Sequence, residues 1–308
     1  MGALHNMNEQ CNFYQLHDHL NTRRLVQRSF FMPKELLCAV FFLSAAFFGC
    51  TEKQAEGSRI NQEPELEGDL NVLGNERIFF GHQSVGANII EGLKEIAKEN
   101  SADSLHIVHW EKNVPLPSAF FLEGLIGENY RPKSKCDDFA HIVDELGPSA
   151  LTIALMKFCF LDVSHETDVD RVFDEYKSNI KALQQRHPST IFVHVTVPLT
   201  TGPDILRRVY RFLRGRSIDH TADNQARERF NDRLRREFAM EPIFDLAAIE
   251  STHPDGSREE WGPPSGACYA LAKEYADDEG HLNENGRKTA AIALIRTLAQ
   301  AVRDRDRK

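Results

Sequence analysis

Two short segments carry residue types that can do acyl chemistry together. The first, Phe79-Phe80-Gly81-His82-Gln83-Ser84-Val85-Gly86, is an apolar run that ends in a serine just where a helical spacing begins. A serine at a strand-to-helix junction has its hydroxyl at the carboxyl edge of the sheet. Its N–H lies among the unpaired donors of a helix N-terminus, where developing negative charge is stabilised. Plain N-capping is the other use of a serine there, and this segment alone does not separate the two. The second segment, Asp278-Glu279-Gly280-His281-Leu282-Asn283-Glu284-Asn285-Gly286, sets an acid three residues before a histidine, just ahead of the last helix. A serine hydroxyl is a poor nucleophile until an imidazole takes its proton. The imidazole works best when a carboxylate fixes its tautomer and stabilises its cationic form.

In this second segment the chain resembles the SGNH/GDSL serine hydrolases. Their final block has an Asp three residues before a His, followed by Leu and, soon after, by Gly and a helix. The similarity of element order runs from Glu76 to Ala301. Residue by residue, the resemblance implies that Ser84 is the nucleophile, His281 the general base and Asp278 the carboxylate that orients it, with no metal and no other cofactor. It implies an acyl-enzyme route on an ester of a carbohydrate or lipid, with an O-acetyl group as the first substrate to consider. An O-acyltransferase acting on a surface glycan is the alternative, as is a non-catalytic carbohydrate-binding or assembly protein that keeps the fold.

The chain departs from the family at two blocks. The family's Gly-Asp-Ser is here Gly81-His82-Gln83-Ser84, one residue longer and without the acid. Its Gly-x-Asn-Asp block is replaced by Met156-Lys157-Phe158-Cys159-Phe160-Leu161-Asp162, so the family's oxyanion Asn has no counterpart. Two local substitutes stand out: Gly127-Glu128-Asn129, with a backbone N–H and an amide donor, and the positive charge of Lys157. His82 is expected to line the site, and His194, inside an apolar run, to be a hydrogen-bonded core residue.

Positioning such residues requires a sheet. From Glu76 onward, short β-branched or aromatic runs alternate with helical patterns, the signature of a parallel sheet covered on both faces. The expected fold class is α/β, a three-layer α/β/α sandwich with a mostly parallel five-stranded sheet, flavodoxin-like in the manner of the resembled family. The strands are read at Arg77 to Gly81, Leu105 to Trp110, Leu151 to Phe160, Thr190 to Val197 and Pro242 to Leu246. Helices are read around Ala87 to Glu99, Asp137 to Leu146, Val169 to Gln185, Gln225 to Phe238 and Asn285 to Arg303. Ligands of open parallel sheets bind at the carboxyl ends of the strands, which brings Ser84 and the His281 loop to one edge. The stretches Glu111 to Lys135 and Thr200 to Asn224 are then expected to be loops walling the site.

The first 74 residues read differently. Arg23, Arg24, Arg28 and Lys34 precede the apolar run Leu36 to Phe48, which is short for a bilayer span and fits a signal-peptide core. It ends in Ala45-Ala46-Phe47-Phe48-Gly49-Cys50, which resembles a bacterial lipobox with Cys50 as the lipidated residue. Residues 1–49 are therefore expected to be an N-terminal extension and signal peptide, 50–74 an acidic flexible tether, and 75–308 the hydrolase-like domain. The implied location is extracytoplasmic, at a bacterial membrane through the lipid anchor. A formal net charge of -9 over 308 residues argues against nucleic acid as a partner. Beyond the leader, Cys136, Cys159 and Cys268 remain, which allows one disulfide and one buried thiol and shows no zinc spacing.

Overall fold

The computed structural model describes residues 65–202, 220–262 and 266–307. Cys50, the signal segment and most of the stretch Thr200 to Asn224 lie outside these residues. The elements in chain order are helix α1 (65–73), β1 (Arg77–His82), α2 (Ser84–Glu99), β2 (Ile107–His109), β3 (Phe120–Leu125) and α3 (Pro132–Leu146). They continue with β4 (Ile153–Met156), α4 (Val169–Arg186), β5 (Ile191–Val195), α5 (His220–Glu237), β6 (Ile243–Phe244) and α6 (Leu246–Glu250). A small antiparallel pair, β7 (Glu260–Trp261) and β8 (Cys268–Tyr269), precedes the closing helix α7 (Glu284–Asp306).

Strands β1 to β6 form one sheet in the order β2-β3-β1-β4-β5-β6, parallel at every pairing. The period of two along each strand divides the core into two layers. Ile78 and Phe80 of β1 and Ile153 and Leu155 of β4 pack on the side covered by α1, α2 and α7. Their neighbours Phe79, Ala154 and Met156 pack on the other side, under α3, α4 and α5. Strands buried on both faces need apolar residues at every position, which is why these runs were legible.

The sheet has six strands where five were expected. The additional strand, β3, lies inside the stretch read as the loop Glu111 to Lys135 and pairs with both β1 and β2. Pro115 and Pro117 ahead of it and Glu123-Gly124 within it hide its periodicity. Glu123 is tolerated in the sheet because its carboxylate meets His82 Nε2 at 3.0 Å from β1 and His109 Nδ1 at 3.1 Å from β2. Burial works to raise this carboxyl, but the hydrogen bonds from His82 and His109 bring it below the ordinary glutamate range.

The expected tether over 50–74 overlaps a helix. Residues 65–73 are helical, with Leu70 and Leu73 in the core and Asp69 2.6 Å from Arg303 of α7. Leu66, Leu70 and Leu73 stand at helical spacing, a pattern that the surrounding glutamates obscured. Cys136, Cys159 and Cys268 are all buried, and no disulfide joins any two of them. His194 is a core residue, its ring nitrogens 2.9 Å from Tyr176 Oη and 3.0 Å from Glu241 Oε2.

Candidate active site

Strand β1 hands the chain directly to α2 through one residue, Gln83, whose side chain makes no cap bond to the helix. The Gln83 amide instead donates to the carbonyls of Ile126 (2.7 Å) and Gly127 (3.0 Å), tying this turn to the loop after β3. By helix geometry, the first-turn N–H groups of Ser84 and Val85 have no intrahelical acceptor and face the sheet's carboxyl edge. So tight a turn requires Gly86, because a Cβ there would stand 2.2 Å from His82 Cβ. Ser84 is the first residue of α2 and is exposed.

The opposite side of the edge is the turn before α7. Asp277 N–H donates to the His281 carbonyl at 2.9 Å, and Ala276 and Leu282 bridge antiparallel, so the turn closes on itself. It is anchored to its surroundings twice. Thr201 N–H donates to the Glu279 carbonyl at 2.9 Å, and Leu282 N–H donates to Asn88 Oδ1 at 3.2 Å, one helical turn beyond Ser84. Gly280 lies flat on Phe160, where a Cβ would come within 2.5 Å of the ring. The Phe160 ring in turn meets the His281 ring edge-on, 5.8 Å between centroids. Arg227 holds the backbone here, donating from Nε to the carbonyls of Phe160 (3.1 Å) and Val163 (3.0 Å).

These constraints bring three side chains into line. His281 Nε2 is 3.0 Å from Ser84 Oγ, across 197 residues of sequence, and His281 Nδ1 is 2.7 Å from Asp278 Oδ2. A carboxylate only accepts, so Nδ1 carries the hydrogen and Nε2 is free to accept from the serine. The other carboxylate oxygen, Asp278 Oδ1, accepts from the N–H of Gly280 and of His281, each at 2.8 Å. The His281 contact and these two N–H bonds, working against partial burial, hold the Asp278 carboxyl well below the usual carboxylate range. The arrangement can take a proton from Ser84 as it attacks a carbonyl carbon and return that proton to a leaving group.

The remaining candidates fall differently. His82 does not open into the site: it is buried between Glu123 and the Gln83 carbonyl, 3.0 Å from each. Lys157 is fully buried, and its Nζ donates to the Phe158 carbonyl at 3.0 Å. Burial draws its amine down to about 8. Gly127 N–H is already committed to Asp138 Oδ2 at 2.9 Å, so it is not an available oxyanion donor. Asn129 is exposed, and its Oδ1 accepts from Lys135 Nζ at 3.0 Å. Neither Lys135 nor Asp162, which form a fully buried ion pair, stood out in the sequence. They are 27 residues apart and on different elements, and no local pattern links them. Among the described residues, no group of three or more His, Cys, Asp or Glu is arranged to hold a metal ion.

The chain matches no family model and no curated protein sequence. Several solved structures align with part of the chain. One is a member of the lipolytic protein G-D-S-L family from Veillonella parvula, with TM-score 0.43 and 13% identity over 72% of this chain and 96% of that one. A GDSL-like protein from Parabacteroides merdae aligns with TM-score 0.46 and 13% identity over 74% and 96% of the two chains. A peptidoglycan O-acetylesterase aligns with TM-score 0.40 and 12% identity over 61% of this chain and 49% of that one. At these identities the likeness carries no activity over to this chain.

Proposed function

We propose that this chain is a serine esterase that cleaves an acyl ester of a carbohydrate or lipid through an acyl-enzyme on Ser84, an O-acetyl group being the first acyl group to test. The observation that carries the reading is the continuous chain of contacts Ser84 Oγ to His281 Nε2 (3.0 Å) and His281 Nδ1 to Asp278 Oδ2 (2.7 Å). Ser84 Oγ attacks the ester carbonyl while His281 takes its proton, and the imidazolium then protonates the departing alcohol. Water repeats the sequence in the second half, with His281 again as base, releasing the carboxylic acid and restoring the serine. The first-turn N–H groups of α2 support the negative charge on the carbonyl oxygen. The resemblance of the Asp278–His281 block to the SGNH/GDSL hydrolases motivates the choice of ester. The order of basic region, apolar run and small residues before Cys50 supports an extracytoplasmic, lipid-anchored location.

An organophosphonate probe and a panel of p-nitrophenyl esters of rising acyl length test the reading. The parent is expected to take one label per chain and to hydrolyse the shorter esters, and Ser84→Ala to do neither. A folded Ser84→Ala that keeps the parent's turnover refutes it.

A further inference from the structure

A loop that runs from Gly127 to Tyr130, tied to Gln83 beside Ser84, is held by charges the chain has buried. Lys135 and Asp162 are both fully buried and paired. Lys135 Nζ also donates to Asn129 Oδ1 at 3.0 Å. Asp162 accepts from the N–H of Tyr130 at 3.0 Å on one oxygen and from the N–H of Cys159 at 2.6 Å on the other. The pair therefore grips two consecutive residues of the loop and the turn after β4 at once.

Resting on the esterase reading above, we propose that the Lys135–Asp162 pair is a positioning pair for the oxyanion side of the site. It turns the Asn129 amide so that Nδ2 is the atom presented to the carbonyl oxygen of the substrate. An ammonium group has donors and no acceptor, so the amide oxygen must face Lys135 and the NH₂ must face away from it. Asn129 is exposed, so that NH₂ is on the open side of the loop. The loop's place is set by its ties. On one flank Gln83, beside the nucleophile, donates to the carbonyls of Ile126 and Gly127, and Ile126 N–H donates to the His82 carbonyl at 3.1 Å. On the other flank the turn that carries Asp162 also carries Phe160, whose ring meets His281.

Two further observations agree. Tyr130 sits at φ 65°, a left-handed conformation that a non-glycine residue keeps only when its surroundings hold it, and the Asp162 bond to its N–H does so. A buried ion pair is also a costly way to fill space compared with apolar side chains of the same volume, and such pairs are best understood where they fix a geometry. The chain lacks the family's oxyanion Asn after β4. The same turn instead supplies Asp162, which acts at one remove through Lys135 on an Asn from the neighbouring loop.

The test measures kcat and KM on a p-nitrophenyl ester for the full chain, Asn129→Ala, Lys135→Met/Asp162→Asn and the triple variant, with Ser84→Ala as control. The double substitution removes both charges, so neither is left buried alone, and Asn129→Ala is a surface change that leaves the fold intact. Asn129→Ala is expected to lower kcat about a hundred-fold or more with little change in KM, the size seen when one oxyanion donor is lost. Lys135→Met/Asp162→Asn is expected to match it, and the triple variant to fall no further than about threefold below either, as for residues that act as a unit. Ser84-dependent hydrolysis with kcat unchanged in Asn129→Ala overturns the inference alone, as do losses that multiply in the triple variant or that appear only in KM. A parent without Ser84-dependent hydrolysis overturns the esterase reading and this inference with it.

Discussion

Replacing Asp278 by Asn changes one atom type and removes one charge, and the surrounding hydrogen bonds dictate how the turn responds. The Asp278 Oδ1 position is held by two backbone donors, Gly280 N–H and His281 N–H, each at 2.8 Å. The amide oxygen of Asn will take that position, which leaves the NH₂ facing His281 Nδ1. Nδ1 must then accept, the ring hydrogen moves to Nε2, and Nε2 can no longer take the proton of Ser84. Turning the amide round restores the tautomer but gives up two backbone bonds, about 2 kcal/mol at a net worth of roughly 1 kcal/mol each. At 1.36 kcal/mol per decade, that leaves the productive arrangement about thirty-fold under-populated. Losing the carboxylate beneath the imidazolium removes a charge-assisted bond worth about 1.5 kcal/mol, the low end of its range, or roughly another tenfold. The low end applies because the Asp278 side chain is 54% exposed. Together these put kcat on the order of 300-fold below the parent, less than the ~10⁴ that the same change costs where the acid is buried. Ester hydrolysis at saturating substrate reads this directly, and circular dichroism and melting temperature should match the parent to within a few degrees, since the surface turn keeps its backbone bonds. A fall of less than about tenfold would refute the tautomer argument. A fall as deep as that of His281→Ala would mean that Asp278 does more than orient and stabilise the base.

Other expectations test separate parts of the structure. Ser84→Ala, His281→Ala and their double variant should show similarly low turnover, because removing either already stops the acyl-enzyme route; multiplicative losses would separate them into independent groups. Glu250 is fully buried at the end of α6, and burial pushes its carboxyl up to about 8 from an ordinary 4.5, against the Leu199 N–H and the charges of Lys157 and Arg227. The folded chain thus holds a proton that the unfolded chain releases, so this group makes stability fall as pH rises from about 4.5 to about 8. Glu250→Gln cannot ionise and should flatten urea-unfolding stability across that window; an unchanged slope would rule out Glu250 as its source. For the proposed anchor, radiolabelled palmitate should label the parent in bacterial cells and spare Cys50→Ala, and equal labelling of both would remove Cys50 from the proposal.

The sequence by itself determined what depends on neighbours along the chain. Strands β1, β4 and β5 were visible because burial on both faces demands unbroken apolar runs. The Asp278–His281 pair was visible because an acid and a base three residues apart in a turn meet through local hydrogen bonds, whatever the rest of the chain does. Tertiary structure decided everything that needs a partner from elsewhere. Glu123 broke the pattern of β3 and read as loop, and only the histidines of the two flanking strands make a carboxylate acceptable there. Lys157 read as a charge at the site's edge, yet it is buried, because the chain after β4 turns at Phe160 and the lysine bonds to the next carbonyl instead. The contact between Ser84 and His281 spans 197 residues and exists because a parallel sheet carries both chain segments to the same edge. Lys135 and Asp162 belong to this second class: each is an ordinary surface residue in the sequence, and the packing of α3 against the turn after β4 makes them a buried pair beneath the Asn129 loop.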